Sequence, residues 1–291
     1  DATDKCLIDN CINMANITMS KANTSQAFIA AITGRIGTGS EVNGCENHGS
    51  LTLSPKESIT GEIRGAGIAG SVNGRIRNCK NNAPITINPS DITNKIYAAG
   101  IAANVMNIDM ENCINTAKGK VTILPEAFSS TKDGYIGGLT GYNAGANIMD
   151  CRNFGDICIN CNSDKVRTGG LLGFQSSQKK AFTTLENCIV NCNVTGAYAS
   201  KGGNGSTTPL NSCGLIIGRF GGQSGTNICN IGSPEKPVKV SGSVTIYGGD
   251  TSIANNDNFT NFLSGAGSKT SVCGNSVTQI INAKFESVTK E

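Results

Sequence analysis

The sequence has no tryptophan, one histidine (His48) and few rings of any kind, aromatics making up 5% of its 291 residues. Charged residues reach only 15%, against roughly 25% in an ordinary soluble chain. These shortages exclude whole classes of chemistry. A metal site built from several histidines is impossible. Histidine acid–base catalysis would rest on His48 alone, and a single His beside Glu46 reads as a surface residue. The 24 Lys and Arg against 21 Asp and Glu leave a net charge of +3, scattered along the chain, so nucleic acid is not an expected partner. No apolar run approaches the ~18–20 residues of a membrane span. The chain opens at Asp1 with no signal-peptide pattern, which reads as a processed or trimmed chain whose targeting segment has been removed.

Glycine and asparagine are abundant instead, at 37 and 34 residues, and their arrangement is periodic. Cys11, Cys45, Cys79, Cys113, Cys151, Cys188 and Cys229 are spaced 34, 34, 34, 38, 37 and 41 apart. Around them the text recurs as "DNCINMANITM", "NGCENHGSLTL", "RNCKNNAPITI", "ENCINTAKGKVTI", "MDCRNFGDICI" and "ENCIVNCNVTG", with a degenerate copy around Cys273. A small-residue patch precedes each: "AAITG", "GAGIAG", "AAGIAA", "GGLTG", "GGLLG", "GLIIG". The first copy lacks it.

A 34-residue period is shared with helical arrays, so composition decides: helices disfavour the Gly, Asn, Thr and Ile that fill these copies. The end of each copy alternates apolar, Thr, apolar, as in Ile17-Thr18-Met19 and Ile85-Thr86-Ile87, the period-2 pattern of a half-buried strand. Each copy therefore offers three short strands: the glycine patch, the Asn-Cys stretch and the Ile-Thr-Ile stretch. Stacked, they predict an all-β parallel β-helix of about seven or eight coils. Residues 1–241 form the solenoid, with an incomplete first coil, and 242–291 an irregular coil and cap.

Glycine serves corners and close backbone approach. Asn13, Asn47, Asn81, Asn115, Asn153 and Asn275, two residues after their cysteines, are expected to stack as an amide ladder, broken at Val190 and Ile231. The repeat cysteines form an interior column. In-register coils sit about 4.8 Å apart, whereas a disulfide wants Cβ atoms about 3.8 Å apart, so buried free thiols are expected. Cys273 continues the column and Cys6 lies near the frayed start. Cys158 and Cys161, with Cys192 and Cys213, stay open between plain thiols and a disulfide among Cys158, Cys161 and Cys192. Cys192 and Cys213 lie 21 apart and give no second close pair for zinc. No metal and no cofactor are expected.

The segment "GGLTGYNAGANIMDCRNFGDI" resembles the GLUG-type repeat, a Gly-Gly-Leu/Ile-x-Gly patch followed by Asn-Cys-x-Asn-x-Gly-x-Ile/Val. The resemblance covers roughly residues 30–240. It implies a right-handed parallel β-helix of the sort found in secreted and surface proteins of bacteria, notably the gut Bacteroidales, and says little about activity.

Polysaccharide hydrolysis needs two carboxylates roughly 5–10 Å apart. The acids fall instead into columns that alternate in sign, such as Glu46 beside Lys80 and Arg77 beside Glu111, which reads as charge compensation between coils. The residue after each glycine patch should point outward: Arg35, Ser71, Asn104, Tyr142, Phe174 and Arg219. Tyr142 and Phe174 would be neighbouring rings, with Arg219 next in line and Arg35 at the far end, a candidate contact for sugar or protein. Loops at 54–64, 88–97, 124–135 and 196–211, three of them opened by Pro55, Pro89 and Pro125, vary in length and are a second place for recognition. The expectation is a non-catalytic, adhesin-like binding protein, extracellular or on the outer-membrane surface, whose partner is a polysaccharide or a host or cell-surface protein. A polysaccharide lyase or glycoside hydrolase of the β-helix type is the competing reading, and a structural spacer the third.

Overall fold

Among the described residues of the computed structural model every regular element is a β-strand. Those residues are 5–20, 26–54, 60–88, 94–107, 109–124, 133–159, 166–176, 183–197, 201–202, 206–209, 212–221, 229–232, 235–247 and 283–287; at 197, 201–202, 206–209, 212, 220–221, 229–230, 245–247 and 283–287 only the backbone is described. Strands from successive coils pair in parallel and in register. One short antiparallel pair, Lys201–Gly202 with Ser206–Pro209, departs from this. The chain is a β-solenoid.

The coils of Cys45, Cys79, Cys113 and Cys151 each carry five strands rather than the expected three. In the coil of Cys79 they are Ile63–Ala66, Ala69–Val72, Arg75–Arg77, Lys80–Asn81 and Ile85–Ile87. The glycine patch is two strands hinged at Gly67-Ile68, and the Asn-Cys stretch is two strands hinged at Asn78-Cys79. The ladder running through Arg75–Arg77 has seven strands, and each of the two ladders of the glycine patch has six.

The corner before each cysteine has a specific cause. Asn10, Asn78, Asn112, Asp150 and Asn187 all have φ between 48° and 57°, and Gly44 has 61°. A left-handed residue turns the chain there, and Asn, Asp and Gly are the types that tolerate it. The cysteine then points inward. Its thiol donates weakly to the carbonyl two residues back, as from Cys79 to Arg77 at 3.2 Å and Cys151 to Met149 at 3.2 Å. Cys45, Cys79, Cys113, Cys151 and Cys188 are buried and free, stacked by main-chain bonds from one coil to the next. Cys11, at the open end, is exposed.

Behind them runs the amide ladder. Asn13, Asn47, Asn81 and Asn115 each donate Nδ2 to the Oδ1 of the next asparagine, at 2.9, 2.8, 2.9 and 2.8 Å. At Val190 the ladder stops, and Asn153 Nδ2 turns to the Gly170 carbonyl at 2.8 Å. Thr18, Thr52, Thr86, Thr122 and Thr195 share one column with Cys158. Thr18 is exposed and the others half-buried, while Leu51, Leu53, Ile85, Ile87, Val121 and Ile123 beside them are buried. The outward assignment of this column is therefore correct in register.

The seventh copy is a correction. Cys229 does not continue the cysteine column: it pairs with Thr183, and Ile231 pairs with Leu185 in the preceding ladder. The amide-ladder position belongs to Val240, opposite Val190, and the place opposite Cys188 falls to Val238. Interior apolar residues set the register here, and the cysteine spacing misled the alignment. Strands Ile189–Ala197 and Lys239–Tyr247 run straight through where earlier coils bend. Lys239–Tyr247 also pairs with Ala283–Ser287; the rest of the expected cap, with Cys273 and Asn275, lies outside the described residues, as does Cys161 of the fifth copy.

Burial raises the thiols of Cys45 to about 11 and Cys188 to about 12, so they are protonated at neutral pH and slow to react. In the native protein an aromatic disulfide reagent should modify exposed Cys6 and Cys11 and spare Cys45, Cys79, Cys113, Cys151 and Cys188. Denaturation without reductant should then release these five. A requirement for reductant would contradict the free column.

Candidate functional site

The two ladders of the glycine patch meet at hinges that turn inward. Ile68, Ile101, Leu139, Leu171 and Ile216, the second hinge residues, are fully buried in the core. The first hinge residue is glycine in four successive coils because the amide ladder lies against it: a Cβ on Gly67 would come within 2.5 Å of Asn81 Cγ. The outer sides of the two ladders consequently face each other. A Cβ on Gly173 would meet the Ile136 carbonyl oxygen at 2.8 Å, and one on Gly218 the Thr168 nitrogen at 2.6 Å. Small residues form the floor of a lengthwise notch, with Ala66 and Ala103 in an apolar cluster separate from the main core.

Larger side chains fill the mouth. From the exit ladder comes the column Arg35, Ser71, Asn104, Tyr142, Phe174, Arg219, in register as expected. From the entry ladder comes a second column, Phe28, Arg64, Tyr97, Tyr135, Arg167, which sequence reasoning missed. Its signal was present: from Arg64 onward each member sits three residues ahead of the hinge glycine Gly67, Gly100, Gly138 or Gly170. Three of the chain's five tyrosines gather in this one notch.

The columns interlock. Tyr142 stacks on Phe174 at 5.4 Å and Tyr97 on Tyr135 at 5.1 Å, while Tyr142 meets Tyr97 and Tyr135 edge-on at 5.8 and 5.5 Å. Arg64 lies over Phe28 and Tyr97 at 5.2 and 5.1 Å, and Arg167 over Tyr135 at 5.2 Å. Such contacts contribute roughly 0.5–1.5 kcal/mol per ring pair and about 1–2 kcal/mol per cation–ring pair where the guanidinium is largely buried, as for Arg64 and Arg167. Tyr97 and Tyr135 are only 6% and 7% exposed, Tyr142 and Phe174 are half-buried, and Arg35 is exposed. The expected ring pair is therefore half-buried and not free-standing: the two rings stack on each other and pack against Tyr97 and Tyr135.

Two carboxylates anchor the entry column. Arg64 donates to Glu62 at 2.8 Å and to Ser71 Oγ at 3.1 Å. Arg167 donates to Asp133, which also accepts from the Tyr135 hydroxyl at 3.2 Å. Burial alone would raise the Asp133 carboxyl, but the Arg167 guanidinium outweighs it and holds the group below its ordinary value. Burial pushes the Tyr97 and Tyr135 hydroxyls up. Arg219 is pushed down, first by burial and then by the charge of Arg167.

The other candidates do not join this site. His48 Nε2 meets Glu46 Oε2 at 2.8 Å on an exposed face. Glu41 pairs with Arg77 and Glu186 with Lys236, and Asp9 accepts from Asn43 at 2.6 Å. Cys192 and Cys213 are buried and Cys158 half-buried, all free. Among the described residues no three His, Cys, Asp or Glu side chains converge. A separate hollow of about 520 Å³ is lined by Thr38, Ser40, Glu41, Asn73 and Arg75 without a ring. Pro55, Pro89, Pro125 and most of the variable loops lie outside the described residues. No family model, no curated protein and no solved structure matches the chain.

Proposed function

We propose that the protein is a non-catalytic binding scaffold, secreted or carried at a cell surface, that contacts a glycan or protein partner along the arginine–aromatic notch. The observation that carries this reading is the concentration of rings and guanidinium groups from a ring-poor, charge-poor chain into one continuous outer stripe. Aromatic and arginine anchors dominate binding surfaces elsewhere. The engagement of Glu41, Glu46, Glu62, Asp133 and Glu186 with basic partners also favours a scaffold over a hydrolase, which needs two carboxylates facing one bond. The likeness to GLUG-type surface repeats points the same way, towards an adhesin-like role.

The test is a glycan array and a surface-protein panel probed with the whole chain, each hit repeated with Tyr142→Ala and Phe174→Ala. Each substitution should weaken binding about 30-fold, the equivalent of ~2 kcal/mol. Thr86→Ala, on a different face, should leave binding unchanged. Intact binding in both ring variants, with a lowered melting temperature, would make these rings packing residues and remove the proposed site. Turnover of a polysaccharide in a parallel lyase and hydrolase screen would favour the enzyme reading instead.

A further inference from the structure

The charges of the notch are unevenly placed. Arg35 and Arg64 lie at one end, Arg167 and Arg219 at the other, with Tyr97, Asn104, Tyr135 and Tyr142 between. Glu62 neutralises Arg64, and Asp133 neutralises Arg167. Arg35 and Arg219 have no such partner: among the described residues no hydrogen bond or ion pair reaches either guanidinium. For exposed Arg35 water suffices. Arg219 is half-buried and in register with Phe174, where it feels both Arg167 and Asp133; Asp133 is already matched by Arg167, so the three groups together keep one unneutralised positive charge. A partly desolvated cation beside a second cation is unfavourable unless an anion joins it.

We propose, resting on the binding reading above, that the notch takes a uronate polysaccharide laid lengthwise in its mouth. One carboxylate is held at Arg219 beside Arg167, and another at Arg35. Arg35 and Arg219 are five coil steps apart, roughly 24 Å at the usual strand spacing, a span suited to a polymer and not to a single small anion. Between them the half-buried Tyr142 offers a hydroxyl, while Ser71 and Asn104 lie buried beneath the mouth. An extended acidic peptide fits less well. Most strands along the notch are already paired on both edges, leaving a peptide backbone few partners there for strand addition. The rings pack on one another and are half-buried or buried, so the charged groups, not a flat sugar platform, select the ligand.

The experiment is calorimetric titration of the whole chain with polygalacturonate, with the same polymer after carboxyl reduction, and with poly-glutamate. Polygalacturonate should bind, and the reduced polymer at least tenfold more weakly. Arg219→Gln should weaken polygalacturonate binding at least tenfold without lowering the melting temperature of the unliganded chain. Arg152→Gln, exposed on another face, should change nothing. Equal affinity for the reduced polymer, unaltered binding by Arg219→Gln, or absence of polygalacturonate binding overturns the proposal. Tighter binding of poly-glutamate overturns it in favour of an acidic protein. A different ligand lost on Tyr142→Ala, with polygalacturonate not bound, would sink the uronate proposal and leave the broader binding reading standing.

Discussion

Gly138→Ala should lower the melting temperature by on the order of 10 °C, while Gly37→Ala should leave it nearly unchanged. Gly138 is the first residue of the hinge between strands Gly134–Gly137 and Thr140–Ala144. A methyl group there would be driven into the Asn153 amide and the Gly170 carbonyl. Neither can move away: Asn153 is held by Asn115 at 2.8 Å, and the Gly170 carbonyl accepts from Asn153 at 2.8 Å. Overpacking of a rigid interior costs about 1–3 kcal/mol and more where backbone is struck. The upper figure corresponds to about 10 °C in a domain of this size. Gly37 has nothing within 4 Å of an added Cβ, so it controls for loss of glycine as such. Thermal melts of both variants decide the matter. Equal, small shifts would mean that the hinge glycine is not there to make room for the amide ladder.

That hinge also marks where the sequence stops being readable. Period, strand alternation, the amide ladder and the unpaired thiols could all be read, because each depends on one residue type recurring at one position. Ile85-Thr86-Ile87 announces its own two faces. The glycine patch does not. "GAGIAG" is small because two ladders fold back against each other, through contacts between strands that share no hydrogen bonds, and periodicity carries no trace of that partner. The corner was readable and overlooked: Asn10, Gly44, Asn78, Asn112, Asp150 and Asn187 are all residue types that accept positive φ. The buried pair Asn143 and Gln175, bonded at 2.9 Å, replaces an apolar interior position, and nothing local distinguishes it from a surface amide.

The candidate site was half legible. Arg35, Tyr142, Phe174 and Arg219 follow the glycine patch, where outward direction can be counted. Their counterparts Phe28, Arg64, Tyr97, Tyr135 and Arg167 precede it in strands that the three-strand picture did not contain. Without the second column, Tyr142 looks like an exposed platform. With it, the ring packs edge-on against Tyr97 and Tyr135, and the chemistry on offer shifts from ring faces to guanidinium groups.

Asn115→Leu should cost about 3 kcal/mol, and Asn13→Leu less than about 1 kcal/mol, although both residues occupy the same position of the repeat. Asn115 is fully buried. It accepts from Asn81 at 2.9 Å and donates to Asn153 at 2.8 Å and to the Gly119 carbonyl at 2.9 Å. Leucine removes all three bonds and forces a branched side chain against Gly100, whose Cβ position already lies within 2.5 Å of Asn115 Nδ2. Asn13, half-exposed at the open end, donates to Asn47 and receives no bond from an earlier coil. The protein itself contains an apolar stop to the ladder at Val190, but there Asn153 turns to the Gly170 carbonyl and to Cys192 Sγ at 3.3 Å. Asn81 keeps only the Ala83 carbonyl as a fallback, at 2.9 Å, and the Gly119 carbonyl keeps none from Asn115. Urea denaturation of the two variants measures the difference directly. Equal losses would mean that the ladder contributes through local turn bonds at each coil and not through its continuity along the axis.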